Sequence, residues 1–386
     1  MKLDKKLAHL PLTKTNPSTL TSLFGKEDII PMWVADMEFE IDASIQKALM
    51  VRISNSGFGY EYKPESFFEA QKKWYKDHYQ LSLDQEHTFY SPSITTSIAI
   101  IIENFSSEKD GIIIQPPVFM EFKDVIRTTK RKIIKNALKI VNGHYEIDFE
   151  DLENKAQNEN NRILILCNPH NPVGRVWNKE ELKKIVSICK ENNILLISDE
   201  IHKDIILFDN QFNSLYQFVN EWNKIIVCTS EAKTFNIPAI SDSMVIVENE
   251  ELRKIIKQTF KKYNLGRTNA LTRITWETAY EKGEAWLKAL ILTIESNVRL
   301  IDMELKKSNS KIGLIQPEGT YQVWLDFREI FTDTKVMFHQ VTERSGIGIN
   351  AGHWFGREGA LFMRMNIATS KEKVQYAIRQ IIKSVL

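Results

Sequence analysis

Apolar residues fall along this chain in two kinds of run. Short, nearly unbroken runs of Ile, Leu and Val occur in GIIIQ (111–115), RILILCN (162–168), NILLISD (193–199), KIIVCTS (224–230) and SMVIV (243–247). With no polar alternation, they read as strands covered on both faces. Between and before them lie longer stretches whose apolar positions recur three and four apart. SFFEAQKKWYKDHY (66–79) and KEELKKIVSICKENN (179–193) are of this kind and predict amphipathic helices. Strand and helix in alternation predict an α/β fold with a mostly parallel sheet between helical layers. The last third differs. EAWLKALILTIESNVRLIDMELKK (284–307) predicts one long helix, YQVWLDF (321–327) a half-buried strand, ALFMRMNIA (360–368) a further strand, and KEKVQYAIRQIIKSVL a closing helix. These patterns predict a large domain over residues 48–283 and a smaller α/β domain from residues 1–47 and 284–386.

The strand runs end in chemistry. Asn168 and Asn171 follow ILILC. Asp199, Glu200 and His202 follow LLIS, and Ser230 and Lys233 follow KIIVC. In open α/β sheets ligands bind beyond the carboxyl ends of the strands. One cleft would therefore receive an acid, two amides, a hydroxyl and a lysine. Taken singly, each could equally be a loop group satisfying nearby backbone. In YSPSITTSIAIIIENF (90–105) a Ser-rich start leads into a helix. Backbone N–H groups at Ser93, Ile94 and Thr95 would suit an anion at that helix N-terminus. Ordinary N-capping by Ser91 or Ser93 is compatible with the same residues.

Composition narrows the classes. The 386 residues carry a formal net charge of +1, so there is no basic face for nucleic acid. No apolar run reaches membrane-span length, and MKLDKKLAHL has no apolar core of a signal peptide. Three cysteines, Cys167, Cys189 and Cys228, form no CxxC pair, which fits a cytoplasmic protein without a disulfide framework or zinc site.

Four segments together, PMWVADMEF (31–39), CNPHNPVGRVW (167–177), SDEIHKD (198–204) and TSEAKTFNIPA (229–239), resemble the pyridoxal-phosphate enzymes of the aspartate aminotransferase fold (fold type I). More narrowly they resemble the C–S β-lyase branch of the class I/II aminotransferase family, the MalY/PatB type of cystathionine β-lyase. The likeness runs from residue 31 to Arg364 and beyond. It implies that Lys233 binds the cofactor aldehyde and then removes the substrate's α-proton, which requires a largely neutral amine. It implies that Asp199 faces the pyridine nitrogen and favours the protonated, electron-withdrawing ring. Asn171 and His202 would lie near the cofactor's phenolic oxygen; His202 could instead be a histidine satisfied within the fold. Glu200 reads as structural and Asn168 as a turn former. Ser93, Ile94, Thr95 and Ser230 would hold the phosphate.

Tyr60, in GFGYEY, would reach the phosphate of the other subunit, making a homodimer with a shared active site. Phe119 stands where the branch usually has a tyrosine over the ring; it keeps the aromatic face and lacks the phenol. Ala232 stands where serine is frequent. Arg364 would bind the substrate carboxylate, and Trp33, Ala35 and Asp36 would close over a small L-amino acid. The expected reaction is β-elimination of a sulfur leaving group, giving pyruvate, ammonia and a thiol. Transamination uses the same residues and stays open beside it. A regulatory protein that binds a transcription factor is a third reading.

Overall fold

The computed structural model describes residues 1–4 and 9–386. Seven strands form the central sheet. In spatial order they are Thr88–Ser91, Ser243–Val247, Ile225–Thr229, Leu195–Asp199, Asn161–Cys167, Gly111–Ile114 and Lys132–Lys135. Ser243–Val247 pairs antiparallel with both its neighbours, and the remaining pairings are parallel.

The unbroken apolar runs have the cause the pattern implies. Successive strand side chains point to opposite faces, and helices cover both. Ile112, Ile163, Ile165, Ile197 and Ile226 pack into one core, whereas Ile113, Leu164, Leu166, Leu196 and Val227 pack into the other. The amphipathic stretches form helices Glu65–Tyr79 and Lys179–Glu191. The second begins in a capping box, with Asn178 and Glu181 each satisfying the other's backbone N–H.

Most strands end a residue or two inside the expected limits, whereas Ser243–Val247 coincides with them and Asn161–Cys167 begins one residue earlier. Leu195 starts its strand only after Asn193, whose φ of 56° lies in the left-handed region.

The C-terminal part holds an antiparallel sheet ordered Gly313–Ile315, Gln322–Asp326, Phe362–Asn366 and Asn350–Ala351. The long helix Glu284–Ser308 and the closing helix Lys371–Val385 pack together. One expectation needs correcting here: Gln322–Asp326 is not half-buried. Gln322 and Trp324, on the face that would be solvated, are as inaccessible as Val323 and Leu325, because both faces of this small sheet are covered.

The N-terminal segment joins the same region. Ile30–Pro31 pairs in parallel with Ile347–Gly348, and the Met32 carbonyl accepts from Asn366 N at 2.9 Å. Residues 33–36 are thereby carried across the carboxyl ends of the central strands.

Candidate active site

Three turns at those strand ends build one cavity of about 360 Å³. The first turn carries Asn171. Gly174 has a φ of +78°, and a Cβ there would meet Pro317 at 2.9 Å. Its carbonyl accepts from the backbone N–H groups of Glu318 and Gly319, so only glycine lets the turn close against the small-domain loop. The Asn168 side chain bonds Asn213 O and Trp177 N, as a turn former would.

The second turn follows Asp199. Glu200 accepts from Ser198 Oγ, Ser214 Oγ and Leu215 N at 2.8–2.9 Å and is structural, as expected. Asp199 is the reverse case. It is 3% exposed, accepts only Ile201 N at 3.1 Å, and has no ion-pair partner among the described residues. Burial pushes its carboxyl up to about 7, against the pull of that N–H and of Lys233. His202 is also buried, its Nδ1 has no partner, and its ring meets Tyr321 edge-on at 5.8 Å. Burial, then Lys233 and Arg364, hold its pKa down to about 3, so the imidazole is neutral.

The third turn carries Lys233. Thr234 donates to the buried carboxylate of Asp204 at 2.6 Å. Asn236 accepts from Met37 N and donates to the carbonyls of Met37 and Phe39, which ties this turn to the N-terminal segment. Lys233 Nζ donates to Ala35 O at 2.8 Å, and Tyr321 Oη donates to the same oxygen at 2.8 Å. Burial holds Lys233 below the ordinary lysine value, although Asp36 pulls the other way.

Arg364 enters from the strand Phe362–Asn366. It is 4% exposed. Nη1 donates to Asn171 Oδ1 at 3.0 Å, and Nη2 to Trp33 O at 2.7 Å and Asn350 Oδ1 at 2.8 Å. Nε has no partner, no carboxylate pairs with the side chain among the described residues, and burial lowers its pKa to about 10. A buried guanidinium with free donors and no anion suits a ligand carboxylate.

Ser93, Ile94 and Thr95 line the far side of the cavity, at the start of the helix Ile94–Phe105. Ser93 caps that helix by accepting from Thr96 N, and no acidic residue occupies its first turn. Ser230 lines the cavity too, with its hydroxyl donating to Asp242 O at 2.7 Å. Phe119 offers an aromatic wall, set edge-on against Phe122.

Trp33 and Ala35 line the cavity, but Asp36 is not among its lining residues. Its carboxylate pairs instead with the buried Lys14 at 3.0 Å, so within the chain it braces the segment that covers the site. Tyr60 is also not brought in. It is fully exposed, on a loop near Arg267. Glu121 and Asn350 line the cavity and were not singled out from sequence. Glu121 opens the helix Glu121–Thr128, where an acid is ordinary, and Asn350 lies in a short edge strand with no motif around it.

These groups fit pyridoxal phosphate. Asp199 is a buried acid lacking a cation, which a protonated ring nitrogen would supply. The capped helix start offers donors to a phosphate, Ser230 a hydroxyl that could turn to it from Asp242 O, Phe119 a face to the ring, and Lys233 an amine. Among the described residues no group of His, Cys, Asp and Glu could hold a metal ion.

Comparison with known proteins agrees. The model of the family described as aminotransferase class I and II matches residues 40–381. The chain is 31% identical over 382 residues to cystathionine β-lyase PatB of Bacillus subtilis (strain 168), covering 99% of each chain. The structure of cystalysin from Treponema denticola, which contains a pyridoxal 5′-phosphate cofactor, superposes with a TM-score of 0.93 at 29% identity, covering 100% of this chain and 97% of that one. The pyridoxal-phosphate-bound C–S lyase from Staphylococcus hominis superposes with a TM-score of 0.92 at 28% identity, with the same coverage.

Proposed function

The chain belongs to the aminotransferase class I and II family, and we propose that within it the protein is a C–S β-lyase of the cystathionine β-lyase type. Its cofactor is pyridoxal 5′-phosphate. The observation that carries this reading is the meeting, in one cavity, of a buried guanidinium without an anion and a lysine held below its ordinary pKa.

When bound, the cofactor withdraws electrons from the substrate's α-carbon through its protonated ring. The chain's own residues do the rest. Arg364 binds the α-carboxylate and so fixes where the α-hydrogen points. Asn171 and Asn350 hold the guanidinium from two sides. Lys233 accepts the α-proton, which a neutral amine can do and an ammonium cannot. As the Cβ–S bond breaks, the electron pair leaves on sulfur and Lys233 can return its proton there. Uptake of one water then leaves pyruvate and ammonium beside the thiol.

Asp199 would hold the ring proton, and the amides of Ser93, Ile94 and Thr95 would hold the phosphate, joined by the Ser230 hydroxyl once it turns from Asp242 O. His202, uncharged, would support the ring, and Phe119 would offer it an aromatic face without a phenol. Trp33 and Ala35 cover the small L-amino acid and exclude water.

The same reading takes residues 48–283 as the large domain and 1–47 with 284–386 as the small one. It also takes the protein as a cytoplasmic homodimer in which Tyr60 serves the partner's phosphate. Among the described residues no helix is long and apolar enough to cross a membrane.

The test is incubation of purified holoenzyme with L-cystathionine and no keto acid. Pyruvate and free thiol are expected in equal amounts. Turnover that appears only when a keto acid is added would replace the lyase by a transaminase.

A further inference from the structure

Of the charged residues that line the cavity, the reaction above leaves Asp242 and Glu121 unused; Asp242 lies within reach of the charge of Lys63, and Glu121 is the one without a paired cation. It begins the helix Glu121–Thr128 and stays exposed while lining the cavity beside Phe119 and Met120. It therefore sits at the rim rather than the floor. Among the described residues its carboxylate has no hydrogen bond and no ion pair. Lys233, the cation its charge reaches, is turned to Ala35 O instead. An acid in a first helical turn is favoured by the helix dipole, which explains a carboxylate at this position in the chain. The dipole does not require one to face the cavity without an ion-pair partner.

The other charges of the site are accounted for, Asp242 by the nearby Lys63. Asp199 is buried at a strand end, Arg364 faces the α-carboxylate, and Lys233 is the base. Once Arg364 holds that carboxylate, the substrate's side chain extends away from it. The rim beside Phe119 then presents apolar surface from Phe119, Met120 and Pro238, and the carboxylate of Glu121.

We propose that Glu121 is a specificity-determining residue that selects amino acids whose side chain or sulfur substituent ends in a cationic amino group. Substrates ending in a carboxylate alone are repelled. This rests on the proposed binding of an α-amino acid through Arg364 and narrows the C–S lyase substrate to S-substituted L-cysteines with a distal ammonium group; cystathionine carries that group beside a distal carboxylate and should fit less well than a substrate ending in the ammonium alone.

The test separates binding from chemistry. L-lysine, L-norleucine and L-2-aminoadipate present cationic, neutral and anionic ends on side chains of similar length. Their dissociation constants from the holoenzyme are read from the cofactor's absorbance at low salt, where exposed charges are least screened. The expected order of affinity is lysine, norleucine, aminoadipate, with about tenfold or more between the extremes, as for a charge pair that is partly solvated. Glu121→Gln should flatten the series and Glu121→Lys should invert it. An unordered series, or one that survives in Glu121→Gln, overturns the proposal.

Pyruvate release from S-(2-aminoethyl)-L-cysteine and S-propyl-L-cysteine is measured alongside. An ordered series without pyruvate from either compound sinks the lyase reading and leaves the charge preference standing. Equal release from both with a flat series does the opposite.

Discussion

Replacing Arg364 by alanine tests the substrate anchor directly, and the structure sets the size of the effect. A guanidinium has five N–H donors. Three are engaged, by Asn171, Trp33 and Asn350. Two remain, one on Nε and one on Nη1, so a carboxylate can be met at Nε directly and gripped bidentately when it replaces one of the two present partners of Nη2. Because the side chain is already buried and held, binding incurs little further desolvation or ordering of the arginine. Losing one partner of a buried, hydrogen-bonded charge pair costs about 2–5 kcal/mol, or about 30-fold to a few-thousand-fold in affinity. The expected result is a rise of that order in the KM for L-cystathionine and in the dissociation constant of L-norleucine. The cofactor's visible absorbance should persist, since Asp199, Ser230 and Lys233 are untouched. Arg364→Lys should fall between, keeping the charge and losing the fork. The assay is steady-state pyruvate release together with spectral titration of the unreactive amino acid. An Arg364→Ala enzyme that holds its cofactor and binds both ligands with wild-type affinity would refute the assignment. It would also remove the claim that the substrate is anchored by its carboxylate.

Lys233→Ala should abolish pyruvate release while retaining pyridoxal phosphate noncovalently, detected by dialysis and absorbance; near-normal turnover would mean another base acts. Mixing Tyr60→Ala and Lys233→Ala subunits should restore activity in hybrids, because one mixed site would then hold both intact residues; no recovery after proven subunit exchange counts against the shared site. Glu38 makes a pH-dependent prediction. Burial acts to raise its pKa, but Lys14 at 3.0 Å and Lys373 at 2.6 Å outweigh it and lower the value to about 2. A depressed carboxyl stabilises the fold above its unfolded value and loses that contribution as pH falls towards the folded one, here across about pH 4.5 to 2. The shift corresponds to roughly 3 kcal/mol. Glu38→Gln should therefore lower urea stability at neutral pH by an amount of that order, and the gap should shrink by more than half by about pH 3. A gap that stays constant with pH would show that the ion pairs contribute nothing.

Much of the fold was legible because its signals are local. A strand covered on both faces needs apolar residues at every position, and a helix with one buried side needs them at every third or fourth. Hence Asn161–Cys167, Leu195–Asp199 and Lys179–Glu191 could be read from their own residues. Asp199, Asn171 and Lys233 stood out because polar groups at the ends of apolar strands have no local reason to be there. What the tertiary structure decided joins residues far apart in the chain. Asp36 turns to Lys14, Asn350 to Arg364, and Asn236 reaches back to residues 37 and 39. Glu121 looks like any acid in a first helical turn until the cavity forms beside it, and Gln322 looks solvated until both faces of its sheet are covered. None of these leaves a periodic trace, since each depends on which surfaces meet when the N-terminal segment and the C-terminal sheet close over the strand ends. Chain pattern encodes how a segment folds against a uniform apolar or aqueous surrounding. The particular partner of a buried charge is settled only by the packing that takes away its water.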